Sequence, residues 1–322
     1  MSNNKKSSIV VIGSSNTDMV VKTERIPRPG ETILGGSFFM NAGGKGANQA
    51  VAAARLGGQV TLIANVGDDI FGKEAVQLFQ KEGINTRYIS VDQNQPSGVA
   101  LITVDKSGEN NIVVASGANA TLQPSAIDHA VEEIEGASFV LMQLEIPLET
   151  IIHASTLAAA KGVPVILNPA PACALPESLL KKISVLTPNE KEAEMLTGIA
   201  ITDLNMAIQA ANHIRRQGVE TIIITLGAKG ALVVNQEICE LVPAPAVQAV
   251  DTTAAGDVFN GALAVALSEG QSLLDAVAFG CHAAALSVTR LGAQSSAPYR
   301  KEVEQTVGER NQYPKHKEPS HS

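Results

Sequence analysis

The segment DTTAAGDVFNG, Asp251 to Gly261, decides how the rest of the chain is read. It follows VPAPAVQAV, which reads as extended, and runs into GALAVALSEG. Phe259, Leu263 and Ala266 recur at helical spacing, as do Val258, Ala262 and Val265, so a helix begins inside the segment. Ala254, Ala255 and Gly256 then stand at its N-terminus. The first N–H groups of a helix have no partner within it, and the helix dipole adds partial positive charge there. Without bulky side chains an anion can reach those groups. Asp257 follows directly. A carboxylate beside an anion hole repels a bound anion; the pairing makes sense where the carboxylate takes a proton while the hole stabilises charge developing in a reaction. The plain alternative is an Asp favoured in a first helical turn by the dipole alone. The segment by itself leaves both open.

Outward from this segment the chain alternates strands and helices. Strand-like Val60 to Val66 precedes helix-like Phe71 to Glu82. Further buried-type strands are Phe139 to Leu144, Pro164 to Leu167, Ile183 to Leu186 and Thr221 to Leu226. Continuous Val/Ile/Leu runs suit a parallel sheet covered on both faces. Polar residues gather at the strand ends: Glu145, Asn168, Asn189 with Glu192, and Thr225 with Gly227. The first strand, Ile9 to Ile12, ends at Gly13 and is followed by Ser14 to Asp18. Open α/β sheets place ligands at such ends. Asn16 and Asp18 therefore read either as ligand groups or as members of an Asx-bonded turn. Met19 to Phe39, broken by PRPGE and GG, reads as short strands. Ser97 to Ala115 reads as a hairpin turning at Asp105 to Asn110, and the two stretches together predict a small separate sheet.

Asn41 to Leu56, NAGGKGANQAVAAARL, tests two phosphate motifs and fails both. A Walker A loop needs Ser or Thr after the Lys, and Gly46 stands there; a GxGxxG reading of Gly44 and Gly46 fails at Gln49. What remains is a Gly-rich turn into an Ala-rich helix with Ala47, Val51 and Ala54 on a close-packing face. Lys45 and Asn48 lie near its start. The dipole disfavours a cation there, so Lys45 either serves a neighbouring group or is simply solvated.

Composition narrows the classes further. The 322 residues are 45% hydrophobic with net charge −8 and no basic block, which argues against nucleic acid and anionic membranes as partners. Trp is absent and aromatics are 3%, removing stacking platforms for single-stranded nucleic acid. Cys173, Cys239 and Cys281 are widely spaced and odd in number, which predicts a reducing, cytoplasmic setting. No signal peptide is visible, and no apolar run approaches the roughly 20 residues of a membrane span. The histidines form no HExxH-type set. The Rossmann dehydrogenase reading lacks its GxGxxG after Ile12.

Taken in order, GSSNTD, NAGGKGANQA, LEIP, NPAPA, TPNEKE and DTTAAGDVFNGA resemble the ribokinase family of sugar kinases, also called the PfkB family, over roughly Ile9 to Pro298. The resemblance implies ATP-dependent transfer of the γ-phosphoryl group to the O5 hydroxyl of D-ribose. Kinases of 2-deoxyribose, another pentose or a nucleoside, and a regulator that has lost catalysis, are the neighbouring possibilities. It implies one α/β domain over residues 1–310: a large doubly wound, mainly parallel sheet with helices on both faces, and a small β lid from about 17–40 and 96–117. Lids of two subunits would clasp in a homodimer. Residues 311–322 are expected to be a disordered tail.

By the same resemblance, Asp257 matches the catalytic base and Ala254, Ala255 and Gly256 the anion hole; many relatives have Gly in place of Ala254. Asn16, Asp18, Gly44, Lys45, Asn48 and Glu145 match the sugar site. Asn189 and Glu192 match a motif acting on Mg2+ through water. Thr225, Leu226, Gly227, Ala228, Lys229 and Gly230 match the nucleotide loop, with Cys281 or His282 at the adenine end. Asp251, Thr253, Ser287, Arg290, Gly292 and Ser296 match a monovalent-cation site, normally K+, built mostly of backbone carbonyls. In this scheme a base of ordinary low pKa suffices, because the sugar hydroxyl stays neutral until late.

Overall fold

Ile9, Val10, Val11 and Ile12 show how the core is divided. Side chains alternate across a strand, so Ile9 and Val11 enter one apolar layer and Val10 and Ile12 the other. The computed structural model describes residues 8–310, and the tail from Asn311 onward lies outside the described residues.

The strands are β1 (Ser8–Ile12), β2 (Asn16–Lys22), β3 (Ser37–Gly43), β4 (Gln59–Gly67), β5 (Ile89–Asp92), β6 (Gly98–Val104), β7 (Asn110–Ala115), β8 (Phe139–Met142), β9 (Val165–Leu167), β10 (Val185–Leu186), β11 (Thr221–Thr225), β12 (Ala231–Val234) and β13 (Cys239–Val242). The large sheet runs β13-β12-β11-β10-β9-β8-β1-β4-β5. Its pairs are parallel except β11 with β12 and β12 with β13. Order reverses at β1, which pairs Ile9 with Val60 of β4 on one side and with Phe139 of β8 on the other. That crevice is where an open α/β sheet holds its ligands.

Helices α1 (Lys45–Arg55), α2 (Ile70–Lys81), α9 (Ala255–Ser268), α10 (Leu273–Ser287) and α11 (Arg300–Arg310) contribute to one apolar layer. Helices α3 (Pro124–Asp128), α4 (Val131–Gly136), α5 (Leu148–Ala160), α6 (Glu177–Leu180), α7 (Glu190–Thr197) and α8 (Leu204–Arg216) contribute to the other. No helix among the described residues is long and apolar enough to cross a membrane.

The second sheet has the order β3-β2-β6-β7, with β2 and β6 parallel and the outer pairs antiparallel. β2 begins at Asn16 and β3 runs on to Gly43, beyond the stretch of about 17–40 read from the sequence, and one further reading is corrected. Asn16 and Asp18 are not in an Asx turn: β2 begins at Asn16, and Asp18 pairs with Asn41 and Ala100. Strand pairing to two neighbours outcompetes the local turn that their side chains favour.

Candidate active site

Two helices meet at the site. Gly261 of α9 lies against α1 so closely that a Cβ there would stand 2.8 Å from both the Cβ of Ala52 and the carbonyl of Gln49. This contact brings the start of α1 alongside the start of α9. Asn48 Nδ2 donates to Asp257 Oδ2 at 2.9 Å, and Gln49 Nε2 donates to Asp257 Oδ1 at 3.0 Å. Asp257 is buried, and burial raises its pKa against the opposing pull of Lys45, Asn48 and Gln49. This carboxylate therefore holds a proton more tightly than an exposed Asp, where an ordinary low pKa would already suffice.

The residues before Asp257 form the helix entry. Ala254 caps α9 in the left-handed region at φ 59°, the single non-glycine positive φ among the described residues. No side chain caps the helix there. A Cβ built on Gly256 would meet nothing within 4 Å, so the ground beside these N–H groups is open. An uncapped N-terminus facing open space is a ready anion site.

Opposite lies a cluster of charge. Glu145 Oε2 accepts from Ser14 Oγ at 2.5 Å and from Lys45 N at 3.0 Å, which seats a carboxylate on the N-terminus of α1. Lys45 makes no ion pair within 4 Å among the described residues. Burial lowers its pKa, yet Asp257, Glu145, Glu192 and Asp18 together raise it above the ordinary value. That field explains a cation at an unfavourable helix end. Asp18 is pushed up to about 6, first by burial and then by Glu145 and Asp257. Among the described residues no protein donor reaches its carboxylate. Gly44, at φ 86°, packs its Cα against Ser15 and Asn16, where any Cβ would be 2.6 Å from Asn16 N. Asp257 is thus hydrogen-bonded to Asn48 and coupled through space to Asp18, Lys45 and Glu145, and Gly44 packs against Asn16 beside them.

A cavity of about 1080 Å³ opens between the inner face of the small sheet, with Asp18, Val20 and Asn41, and the segments carrying Asp251 and Gly292. A second, of about 340 Å³, is lined by Asn16, Asn119 and Glu145.

Other sequence-predicted residues form two further groups. Asn189 and Glu192 make a reciprocal capping box at the start of α7, and Asn189 bridges to Thr225. Burial raises the Glu192 pKa, while Lys45 lowers it. Thr225 to Gly230 form a tight turn in which Gly227, Ala228 and Lys229 are exposed and Leu226 is buried in the core. Asp251 accepts from Thr253 N, Thr253 Oγ1 and Gly292 N, joining the segment before α9 to the segment after α10. Ser287 and Ser296 are buried, each hydroxyl bonded to a nearby carbonyl. The Arg290 guanidinium turns away to Glu302. Cys281 packs in the core, its thiol pushed up to about 12 by burial.

The match to known proteins follows the same outline. Residues 6–300 fit the family model described as pfkB family carbohydrate kinase. The chain belongs to the pfkB family of carbohydrate kinases. It is 46% identical to the ribokinase of Haemophilus influenzae over 298 residues, 92% of this chain and 97% of that protein. It is 40% identical to the deoxyribokinase of Salmonella typhimurium over 291 residues, 90% of this chain and 95% of that one. The structure of Arabidopsis thaliana ribokinase complexed with ribose and ATP matches with TM-score 0.87 at 35% identity, covering 94% of this chain and 99% of that one.

As a sugar kinase, the chain carries two site residues that the sequence reading missed. Gln49 sat inside a quoted motif, and its side chain reaches Asp257 directly. Asn119 had no signal at all. Its Oδ1 accepts from Ser15 N, and its Nδ2 donates to Ser15 O and to Asn16 Oδ1, at 2.7 Å for the last. Asn119 thereby turns the Asn16 amide so that its N–H groups, not its carbonyl, remain for a ligand.

Proposed function

We propose that this kinase transfers the γ-phosphoryl group of ATP to the O5 hydroxyl of D-ribose, giving D-ribose 5-phosphate. The observation that carries the reading is Asp257, a buried carboxylate held by Asn48 and Gln49 beside an uncapped helix N-terminus. Asp18 and Glu145 supply acceptors and Asn16 donors for sugar hydroxyls. Asp257 takes the proton of the attacking hydroxyl as the bond to phosphorus forms. The N–H groups at 255–257 face the phosphoryl oxygens, and Lys45 offsets charge in the crevice. Loose phosphoryl transfer needs this positioning and charge stabilisation more than covalent chemistry.

The nucleotide would lie along Thr225 to Gly230 with Asn189. Glu192 suits a Mg2+ contact through water, since the capping box occupies its carboxylate while acceptor lone pairs remain. When bound, that ion neutralises phosphate charge. For K+, Asp251 with carbonyls around Thr253, Ser287, Arg290, Gly292 and Ser296 fits, because the Arg290 guanidinium is directed elsewhere and Asp251 already ties these segments together. The small sheet serves as a lid over the sugar, and residues 1–310 act as one domain. Its outer face pairs Met19 with Met40 and Leu101, and Leu101 with Val113. Met40, Leu101 and Val113 are 50%, 52% and 66% exposed. A second copy of this chain, lid to lid, would cover that row. A cytoplasmic setting agrees with this chemistry.

The similarity to a deoxyribokinase sustains a second reading, 2-deoxyribose as acceptor. A coupled ADP-release assay with D-ribose, 2-deoxyribose, other pentoses, hexoses and nucleosides decides. D-ribose is expected to exceed 2-deoxyribose in kcat/KM by roughly 10- to 100-fold, the loss of one hydrogen bond to a charged group. Equal turnover of the two sugars removes the assignment.

A further inference from the structure

Asp257 is one member of a closed ring of buried hydrogen bonds. Gln49 Nε2 donates to Asp257 Oδ1 and also to Asn168 Oδ1, at 3.0 and 3.2 Å. Asn168 Nδ2 donates to the carbonyl of Thr187 at 3.0 Å, and Thr187 Oγ1 donates to Asn260 Oδ1 at 2.6 Å. Asn260 Nδ2 donates to the carbonyl of Gly256 at 2.8 Å, returning to the residue beside Asp257. Gln143 braces the ring from behind by donating to Gln49 Oε1 at 2.6 Å. Gln49, Gln143, Asn168, Thr187 and Asn260 are all buried.

The direction of every bond in this ring is forced. An ionised Asp257 can only accept, so Gln49 must present its NH2 to it. Gln49 Oε1 is then left to accept from Gln143. The carbonyls of Thr187 and Gly256 also can only accept, which fixes the amides of Asn168 and Asn260. Asp257 is the only titratable member of the ring. Four amides and a hydroxyl, drawn from α1, α9 and the ends of β8, β9 and β10, therefore hold one carboxylate and the anion-hole turn in a single geometry.

We infer that Gln49 is a positioning residue for phosphoryl transfer, fixing the Asp257 carboxylate and, through Asn168, Thr187 and Asn260, the Gly256 turn as one unit. This rests on the reading of Asp257 as the base. The charged groups facing Asp257 are Lys45 on α1, Asp18 on β2, Glu145 after β8 and Glu192 on α7. All of these remain when Gln49 is changed.

The test uses the full-length protein with saturating D-ribose and ATP, from pH 5 to 9. Gln49→Met keeps length and removes the donors. Its kcat is expected to fall about 10- to 100-fold, as for one hydrogen bond to a charge, with both KM values within about threefold. The acid limb of the kcat profile is expected to move to higher pH, because a donor favouring the ionised form has gone. Gln49→Glu keeps shape and sets a second carboxylate against Asp257, so its acid limb should move further and its kcat recover toward alkaline pH. Should Gln49→Met not fold, Gln49→Glu decides alone. Wild-type kcat and an unmoved limb in the folded variants overturn the inference, as does a loss that merely follows melting temperature and returns on cooling. Asp257→Asn is run beside them. If it retains the rate, the base assignment fails and this inference with it; if it is inactive while the Gln49 variants match wild type, only this inference fails.

Discussion

At the scale of single residues, two carboxylates carry opposite consequences. Asp257→Asn removes the proton acceptor, and kcat is expected to drop about 10²- to 10⁴-fold. The fold is not indifferent to this change. The new NH2 meets the donor of Asn48 or Gln49, at about 1–3 kcal/mol for a buried unpaired group. Loss of a buried charge offsets part of that. Steady-state kinetics together with urea unfolding separate the two effects; a variant above about a tenth of wild-type kcat rules out Asp257 as the base. Asp18 behaves differently because its folded-state pKa, about 6, lies above the ordinary 3.8. The folded protein then holds that proton more tightly than the unfolded chain, so stability falls as pH rises through this window and stays lower above it. Asp18→Asn is expected to raise stability at pH 8 by on the order of 2 kcal/mol and to flatten the gain between pH 8 and 5. Melting curves at both pH values, without sugar, check this. The same variant should lose sugar turnover.

At the scale of elements, the start of α9 is held in a conformation that an L-residue resists. Ala254 at φ 59° stores strain that glycine would not. Ala254→Gly is expected to be neutral or stabilising by up to about 1 kcal/mol, and Ala254→Val to destabilise by about 1–3 kcal/mol. Urea unfolding of both gives the sign. What the sequence made legible at this scale follows from where the determining contacts lie. The parallel strands β1, β4, β8, β9 and β11 show as apolar runs, and the α9 start shows as small residues before a helical period. β5 and β13 escaped because they are short and half exposed, and β12 because no turn or period sets its four apolar residues apart. Motif residues of the site were visible as short strings. The work of Gln49 and Asn119 was not, because their partners lie 208 and 104 residues away in the chain. For Asn16 and Asp18 the sequence left a turn and a ligand role both open, because local polarity favours a turn and only strands β3 and β6, remote in sequence, make them a strand.

At the scale of the molecule, the outer face of the small sheet predicts association. Leu101→Glu sets a charge in the exposed apolar row and is expected to yield a monomer by light scattering, with the melting temperature no longer rising with protein concentration. An unchanged mass would set the lid-to-lid dimer aside. The two sheets also share their connections in an unusual way. β1 passes into β2 through Gly13 to Ser15 alone, and β3 passes into α1 through Gly44 alone. Asn16, Asp18, Lys45 and Asn48 stand immediately beside those links. As the proposed lid, the small sheet would be a lever with its fulcrum at the proposed sugar site: tilting it would re-aim Asn16, Asp18, Lys45 and Asn48, and a sugar that fits would pin it. Poor acceptors would leave the lever loose, so that discrimination between sugars is read out as leverage over the whole sheet rather than as grip at any one hydroxyl.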